Sequence, residues 1–460
     1  MKEKSNKKET CKNEGEANIS KKKKKKREGK WMPPNMDPSI NWLHKVVKHA
    51  TKSSKNLHPV LQEFKQLIDT NARVYMLMTS MFQQIPYKPL YSADPSGQPI
   101  IRSPDHLLQV LNHLIETAPS YNDTPGKFGL IGLPVNTVFD YAMGTAAGYA
   151  AFLDPDINAA ITKMLNVWGD FLRSPASTKV LHTDTGGISS SWFGEPAITE
   201  LTTVANVGGG GHLCFDDLYI CDPKDPLHGF KSWDDFFTRQ FRDGVRPIAA
   251  PNDDSVIANA CESQPYRISR DVKARENFWV KGQPYSVLDM LDYDDFAADF
   301  IGGTIYQAFL SALSYHRWHS PVTGHIVKAY VVPGTHYSEP LFEGLADPSG
   351  YHDVDFASEI SCQGYLTATA TRALIFIQAD NPAIGLLAFI GVGMAEVSTC
   401  DITVKQGQRI NKGDEIGMFH FGGSTHCILF RKGVNVHDFP KPGEKDENHP
   451  VRSQLAIVSG

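Results

Sequence analysis

The chain has no long apolar stretch. Its 460 residues contain no run of about 18 uninterrupted apolar residues, the length that a membrane-spanning helix needs. The longest candidate, residues 384–397, is broken by glycines and is more typical of buried strands. The N-terminus carries charge with no apolar core after it, so no secretory signal is expected. These absences predict a cytoplasmic chain without stable membrane insertion.

Paired cysteines are also absent. The seven cysteines are widely scattered and form no C-x-x-C pair. Neither a disulfide framework nor a zinc site is therefore predicted, and we expect no bound metal. A reducing compartment such as the cytosol agrees with this pattern.

The charge is divided unevenly along the chain. Residues 1–30 hold 13 Lys/Arg and 5 Asp/Glu, a net charge of +8, which leaves 33 basic and 46 acidic residues elsewhere, a net −13. Residues 1–35 have almost no large apolar side chains, which predicts a disordered basic tail. A nuclear signal or a contact with an anionic surface are the open alternatives for the basic run at 21–27. The acidic remainder argues against nucleic acid as a partner.

The helical part of the sequence comes first. Apolar residues recur at helical spacing, which predicts an N-terminal helical domain at 50–180. Ser103 followed by Pro104 is typical of a helix start, because serine caps the first turn and proline fits its first position. A Gly/Ser/Thr-rich connector is predicted at 181–214.

The strand-rich part follows. Residues 215–440 contain short β-rich runs, the first of them at 215–223, with two short helices among them. Residues 441–460 are predicted to form a C-terminal tail. The fold class is therefore α+β, with a helical N-terminal domain followed by a mainly antiparallel β domain with flanking helices.

Four spaced segments of the β-rich part carry the functional signal. They are FFTRQFRDGVRPI (236–248), VKGQPYSVLDML (280–291), YHRWHSPVTG (315–324) and FGGST (421–425). In this order and spacing they resemble the phosphatidylserine decarboxylase superfamily over about 215–435. Within it, the stretches ACES (260–263), IGVGMAEVSTC (390–400) and GMFHFGGS (417–424) are more similar to the soluble fungal L-tryptophan decarboxylases.

This resemblance implies a self-made cofactor. Ser424 would attack the carbonyl of Gly423, and the ester formed would eliminate and hydrolyse to a pyruvoyl group at position 424 and ammonia. The two self-cleaved chains would remain associated. The pyruvoyl ketone would bind the substrate amine as a Schiff base and act as the electron sink, so no pyridoxal phosphate (PLP) is expected.

The resemblance also implies roles for two histidines. His319 matches the family base that would activate Ser424, and His316 matches the acid that would protonate the decarboxylated substrate. The phospholipid enzymes orient the base with an aspartate, but this chain has Cys261 and Glu262 at that place. Glu262 is our candidate for the orienting carboxylate, and the open alternative is that His319 has no carboxylate partner.

The resemblance implies a free aromatic L-amino acid as the small-molecule substrate, most specifically L-tryptophan converted to tryptamine. Trp318, His336 and Tyr337 depart from the phospholipid enzymes and are candidates for a pocket that accepts a flat side chain. Core packing accounts for Trp318 equally well. The alternatives are a phosphatidylserine decarboxylase that makes phosphatidylethanolamine, and a non-catalytic scaffold or carrier domain.

Overall fold

The computed structural model describes most of the chain beyond its N-terminal tail. The described residues are 37–52, 55–85, 100–124, 127–130, 134–183, 191–207, 212–276, 285–340, 362–396, 399–421, 424–444 and 447–460. The predicted tail at 1–35 lies outside them. Within these ranges, no helix combines the length and the apolar character needed to cross a bilayer.

Helices dominate the first half of the described chain. They are α1 (Asp37–Lys52), α2 (Pro59–Thr70), α3 (Ala72–Gln83), α4 (Pro104–Leu114), α5 (Pro134–Met143), α6 (Ala146–Leu153), α7 (Pro155–Arg173), a 3-10 helix (Pro175–Val180) and α8 (Glu195–Ala205). Shorter helices follow among the strands: α9 (Phe215–Leu218), α10 (Trp233–Phe237), α11 (Val287–Met290), α12 (Ala297–Phe300) and α13 (Gln363–Thr369).

Local sequence explains where two of the longer helices begin. The Ser103 side chain accepts a hydrogen bond from the backbone N–H of His106, and Pro104 occupies the first position of α4, as predicted. Asp154 caps α7 in the same way and Pro155 follows it. Helix α7 then buries a stripe at helical spacing that ends in Trp168 and Leu172.

Strands dominate the second half. They are β1 (Tyr121–Thr124), β2 (Lys127–Leu130), β3 (Val256–Ala258), β4 (Gln264–Arg270), β5 (Thr304–Leu310), β6 (Arg317–His319), β7 (Gly324–Val332), β8 (Arg372–Ala379), β9 (Leu386–Gly393), β10 (Thr399–Ile402), β11 (Arg409–Ile410), β12 (Glu415–His420), β13 (Ser424–Phe430), β14 (Asn435–His437) and β15 (Gln454–Ser459).

The largest sheet has seven strands in the order β11-β7-β8-β9-β13-β5-β4, and all of its pairs are antiparallel. Two three-stranded sheets, β10-β12-β6 and β14-β15-β3, are also antiparallel. Helices in the N-terminal part and antiparallel sheets in the C-terminal part confirm the predicted α+β class.

The two faces of the seven-stranded sheet bury different hydrophobic clusters. Cys427 and Leu429 of β13 belong to the cluster that includes the N-terminal helices, and Ile428 and Phe430 belong to the cluster that includes residues of the smaller sheets. This alternation is the period of two expected of a strand buried on both faces. The N-terminal helices therefore share a hydrophobic cluster with the strand-rich half.

A carboxylate also connects the helical part to the sheet. Glu396, just beyond β9, accepts hydrogen bonds through Oε1 from the backbone N–H groups of Val135 (2.5 Å) and Asn136 (2.9 Å). These N–H groups lie in the first turn of α5, where the helix has no carbonyl partners for them and where a negative charge is favourable.

Three predicted segments differ in the structure. The connector at 181–214 contains α8, and the strand expected at 215–223 begins instead with the short helix α9. The predicted tail at 441–460 contains β15, the central strand of its sheet, because Leu455, Ala456 and Val458 supply a buried apolar pattern.

Candidate active site

Ser424 begins β13, between β5 and β9, where it is paired with Leu310 and Gly393. Its side chain is fully buried, and its Oγ has no hydrogen-bond partner among the described residues. Gly423, the other residue of the predicted cleavage site, lies outside those residues. A buried hydroxyl with no acceptor is uncommon and costs stability, which makes Ser424 a candidate for a reactive position.

His319 ends β6 and is buried. Its Nδ1 lies 2.9 Å from the carbonyl oxygen of Gly413, and its Nε2 lies 3.0 Å from the hydroxyl of Tyr315. The shorter contact of Nδ1, to a carbonyl that can only accept, favours the tautomer with the proton on Nδ1, which leaves the Nε2 lone pair to accept from Tyr315, whereas the Nε–H of Arg452, 3.2 Å from Nδ1, favours the opposite tautomer. Burial, helped by the charge of Arg452, lowers the pKa of His319 to about 3, so its ring is neutral.

Glu262 is almost fully buried, and its carboxylate is held by groups other than His319. Arg246 donates to it from Nε (2.9 Å) and from Nη2 (2.5 Å), and the backbone N–H of Val451 donates to Oε2 at 2.8 Å. The structure thus does not bring Glu262 into a direct hydrogen bond with the His319 ring. The forked guanidinium is the stronger partner, and the carbonyl of Gly413 takes the place expected for a carboxylate.

His316 precedes β6 and is also fully buried. Its ring stacks on Phe237 of α10, with 4.2 Å between the ring centroids and 24° between the planes. Its carbonyl accepts a hydrogen bond from the backbone N–H of Phe419, in β12. The strand that leads towards Ser424 is therefore fixed against the segment that carries both histidines.

Trp318 lies in the cluster between the seven-stranded sheet and the smaller sheets. It packs against Phe389 and Phe419, with ring centroids 5.4 and 4.6 Å away. A Cβ atom added to Gly417 would lie 2.5 Å from its ring, and one added to Gly391 would lie 2.9 Å from it. Glycine is required at both positions because the indole occupies that space.

Tyr337 lies in the other cluster, and His336 also contacts the helical part. The ring of Tyr337 packs on Phe139 and Phe152, with centroid distances of 4.8 and 6.0 Å. The Nε2 of His336 lies 2.8 Å from the hydroxyl of Thr162 in α7. The structure therefore does not group these two residues with Trp318.

Comparison with known proteins identifies the family. Two family models, both described as phosphatidylserine decarboxylase, match residues 58–201 and 233–451. Decarboxylase iboD of Amanita muscaria (strain Koide BX008) is 45% identical over 73% of this chain and 93% of its own length. The chain belongs to the phosphatidylserine decarboxylase family. It is a decarboxylase, that is, a carboxy-lyase, as the resemblance of its motifs implied.

Other relatives differ in how much of the chain they cover. The L-tryptophan decarboxylases of Psilocybe cubensis and Psilocybe cyanescens are each 36% identical, over 83% and 90% of this chain and 83% and 91% of their own lengths. Phosphatidylserine decarboxylase proenzyme 3 of Schizosaccharomyces pombe is 29% identical over 49% of this chain and 21% of its own length. The family members named as proenzymes support synthesis of this chain as a zymogen that cleaves itself.

Decarboxylases of this family use a pyruvoyl group, and the residues present fit one at position 424. The group arises from a serine, and Ser424 is a buried serine whose hydroxyl is not committed to another acceptor in the described chain. The hydroxyl of the neighbouring Thr425, by contrast, is already hydrogen-bonded: it donates to the carbonyl of Ala308 at 2.9 Å and accepts from the Gln307 side chain at 3.0 Å.

One polar residue beside Ser424 was missed by the sequence analysis. His426 is fully buried between Tyr306 and Phe389, and neither ring nitrogen has a hydrogen-bond partner among the described residues. Burial lowers the pKa of His426 to about 3. The alternation of side chains along a strand places it on the same face as Ser424, and that period of two could have identified it.

Arg452 is a second residue that the sequence analysis missed. Its Nε lies 3.2 Å from Nδ1 of His319 and donates to the carbonyl of Gly413 at 3.0 Å. It lies in the segment predicted to be a tail, and no motif distinguished it there.

A group of possible metal ligands lies apart from these residues. Asp216, Cys221 and His228 bring a carboxylate, a thiol and an imidazole within 4.8 Å of one another. Cys221 donates to Asp216 Oδ1 at 3.3 Å, and the Nδ1 of His228 lies 3.2 Å from the same oxygen. Arg242 donates to the backbone carbonyls of Asp216 and Cys221, so a cation already borders this group.

Proposed function

We propose that this chain is a self-processing decarboxylase of aromatic L-amino acids, whose main reaction converts L-tryptophan to tryptamine. The observation that carries the proposal is the side chain of Ser424, the first residue of β13. Its hydroxyl is buried and has no hydrogen-bond partner in the described chain. The substrate is supported by the similarity to L-tryptophan decarboxylases over most of the chain.

Self-cleavage begins when Ser424 loses its hydroxyl proton and attacks the carbonyl carbon of Gly423. A C–O bond replaces the C–N bond, and the amide nitrogen gains the proton. His319 is the proposed base, because its imidazole is neutral and, with the proton on Nδ1, Nε2 would take the Ser424 proton in place of its hydrogen bond from Tyr315. Elimination from the ester and hydrolysis then give the pyruvoyl group and ammonia.

A pyruvoyl group at position 424 supplies the electron sink for loss of carbon dioxide, so PLP is not needed. His316 is the proposed acid that returns a proton to the substrate carbon. Its stacking on Phe237 fixes the plane of the imidazole, which supports a directed proton transfer. Trp318 packs on Phe389, which also stacks on His426, and remains a proposed pocket residue, whereas His336 and Tyr337 contact the helical part.

The experiment offers L-tryptophan and phosphatidylserine vesicles separately to purified enzyme whose self-cleavage has been verified by intact mass. Tryptamine and carbon dioxide are expected from tryptophan, and Ser424→Ala should be uncleaved and inactive. Deletion of residues 1–30, which carry the net charge of +8, should leave the activity intact. Turnover of the vesicles alone, lost with the basic tail, would instead support the phospholipid reaction.

A further inference from the structure

The backbone is strained at Phe421, two residues before the proposed cleavage bond. Phe421 has a φ of 63°, in the left-handed region that a bulky residue rarely adopts. It is followed directly by Gly422 and Gly423, and then by Ser424. Such a conformation persists only where surrounding contacts hold it, and strain of this kind is concentrated at reactive positions.

The ring of Phe421 is held by two tryptophans. Its centroid lies 5.6 Å from that of Trp168 in α7 and 6.3 Å from that of Trp233 in α10, and the guanidinium of Arg173 lies 5.8 Å from it. Helix α7 has a glycine at the point of contact. A Cβ atom added to Gly169 would lie 3.1 Å from Cε2 of Phe421, so the Phe421 ring would have to move by a few tenths of an ångström.

His420, the residue before Phe421, is held by the carboxylate of Asp234. The Nδ1 of His420 lies 2.8 Å from Oδ1 of Asp234 in α10, and both side chains are about nine-tenths buried. The Nε2 of His420 lies 3.6 Å from Oδ2 of Asp401, whose side chain is half exposed. Asp234 is therefore the close, buried partner of this imidazole, and Asp401 is the distant, exposed one.

We propose that Trp168, Gly169 and Asp234 are positioning residues for self-cleavage. They hold His420 and Phe421, the last described residues before the proposed cleavage bond, and this anchor would favour the attack of Ser424 on Gly423. The proposal rests on cleavage at this bond, as proposed above. It gives the N-terminal helices a role in maturation, because α7 belongs to them and contacts the chain two residues before the scissile bond.

The magnitude of the effect follows from the geometry of the attack. An intramolecular attack needs its reacting atoms about 3–3.5 Å apart, and a displacement of about 1 Å can cost roughly a hundredfold in rate. A shift of a few tenths of an ångström in Phe421, transmitted through two glycines, should therefore slow cleavage by about tenfold. A role in folding alone would change stability and cleavage in the same direction.

Gly169→Ala separates these two roles. Alanine is the better helix former, so the substitution should raise the Tm, while its methyl group displaces the Phe421 ring and slows cleavage. Asn166→Ala is the matched control, because it replaces an exposed residue of α7 that gives a similar gain in helix propensity. The Tm is measured in the uncleavable Ser424→Ala background, and cleavage is followed on denaturing gels after synthesis in a cell-free system.

We expect Gly169→Ala to cleave about tenfold more slowly than Asn166→Ala, with a Tm at or above that of the unsubstituted chain. Asp234→Asn should also slow cleavage, and Asp401→Asn should not. Equal rates for Gly169→Ala and Asn166→Ala, or slowing only in step with a lower Tm, would overturn this inference and leave the proposed function standing. Absence of cleavage in the unsubstituted chain would contradict both.

Discussion

Arg246 holds both carboxylate oxygens of Glu262, with its Nε 2.9 Å from Oε2 and its Nη2 2.5 Å from Oε1. Both side chains are more than nine-tenths buried. Breaking a buried ion pair by removing one charge leaves the other charge uncompensated and typically costs about 3–5 kcal/mol. The first role of Glu262 in this structure is thus to neutralise Arg246.

Glu262→Gln should therefore lower the free energy of unfolding by about 3 kcal/mol. Urea titration of the substitution in the uncleavable Ser424→Ala background measures this. Asp380→Asn is the control, since its pair with Arg409 is about half exposed and should change the free energy by less than about 1 kcal/mol. If Glu262→Gln slows cleavage far more than its loss of stability accounts for, Glu262 would instead be favoured as the group that orients His319.

The two candidate histidines, His319 and His316, should give different phenotypes. His319→Ala should remain uncleaved, because Ser424 loses its base, with a rate about 10²–10⁴-fold lower. His316→Ala should cleave but decarboxylate slowly, because the missing proton transfer comes later. Intact mass and product release, measured on each variant, distinguish them.

His325→Ala is the control for these variants, because His325 is exposed on β7. It should behave as the unsubstituted chain does in both assays. Normal processing of His319→Ala, or a reversal of the two phenotypes, would contradict the assigned roles.

Sequence patterns predicted the elements with long, uniform periodicity. The apolar runs that became β8 and β9 and the helical stripe of α7 are of this kind, because burial along a whole element leaves a repeated signal. The segment 215–223 was predicted as a strand and begins with a four-residue helix, since so short a run fits either period. The tail at 441–460 was misassigned because one six-residue strand there has little context in sequence.

For the candidate site, the motifs gave residues to propose but not their partners. Ser424, His316 and His319 were proposed from spaced segments, and in the structure Ser424 begins a strand of the seven-stranded sheet whereas His319 ends a strand of a three-stranded sheet. The partner of Glu262 could not be predicted, because Arg246 and Val451 reach it from positions 16 earlier and 189 later in the chain. Periodicity reports which face a residue occupies and does not report which side chain it meets across that face.

The two chains made by cleavage should stay together without a covalent bond. Residues 424–460 would contribute β13, whose seven residues pair with β9 on one side and β5 on the other, and β15, the centre of a second sheet. We expect both fragments to co-elute in native size exclusion and to separate only in denaturant. Loss of the short fragment under native conditions would contradict this.

Three buried histidines should make the precursor sensitive to mild acid. Burial lowers the pKa of His319 and His426 to about 3 and that of His336 to about 4. In the unfolded chain each ring has a pKa of about 6.5, so below that pH each histidine binds a proton in the unfolded state and stays neutral in the folded state. Stability is therefore fully present above pH 6.5 and falls by about 1.4 kcal/mol per pH unit for each histidine as the pH drops towards the folded pKa.

His426→Phe, made in the Ser424→Ala background, tests how much His426 contributes to the pH dependence of the free energy of unfolding. The phenyl ring is apolar and has no nitrogens to leave without partners, so the free energy of unfolding at pH 7.5 should rise by about 1 kcal/mol or more. Between pH 6 and 5, the slope of that free energy against pH should fall by about 1.4 kcal/mol per unit, because one proton-binding site of the unfolded chain is gone. His325→Gln, at an exposed position, should leave the slope unchanged. A destabilised His426→Phe with an unchanged slope would mean that His426 is hydrogen-bonded or protonated in the folded chain.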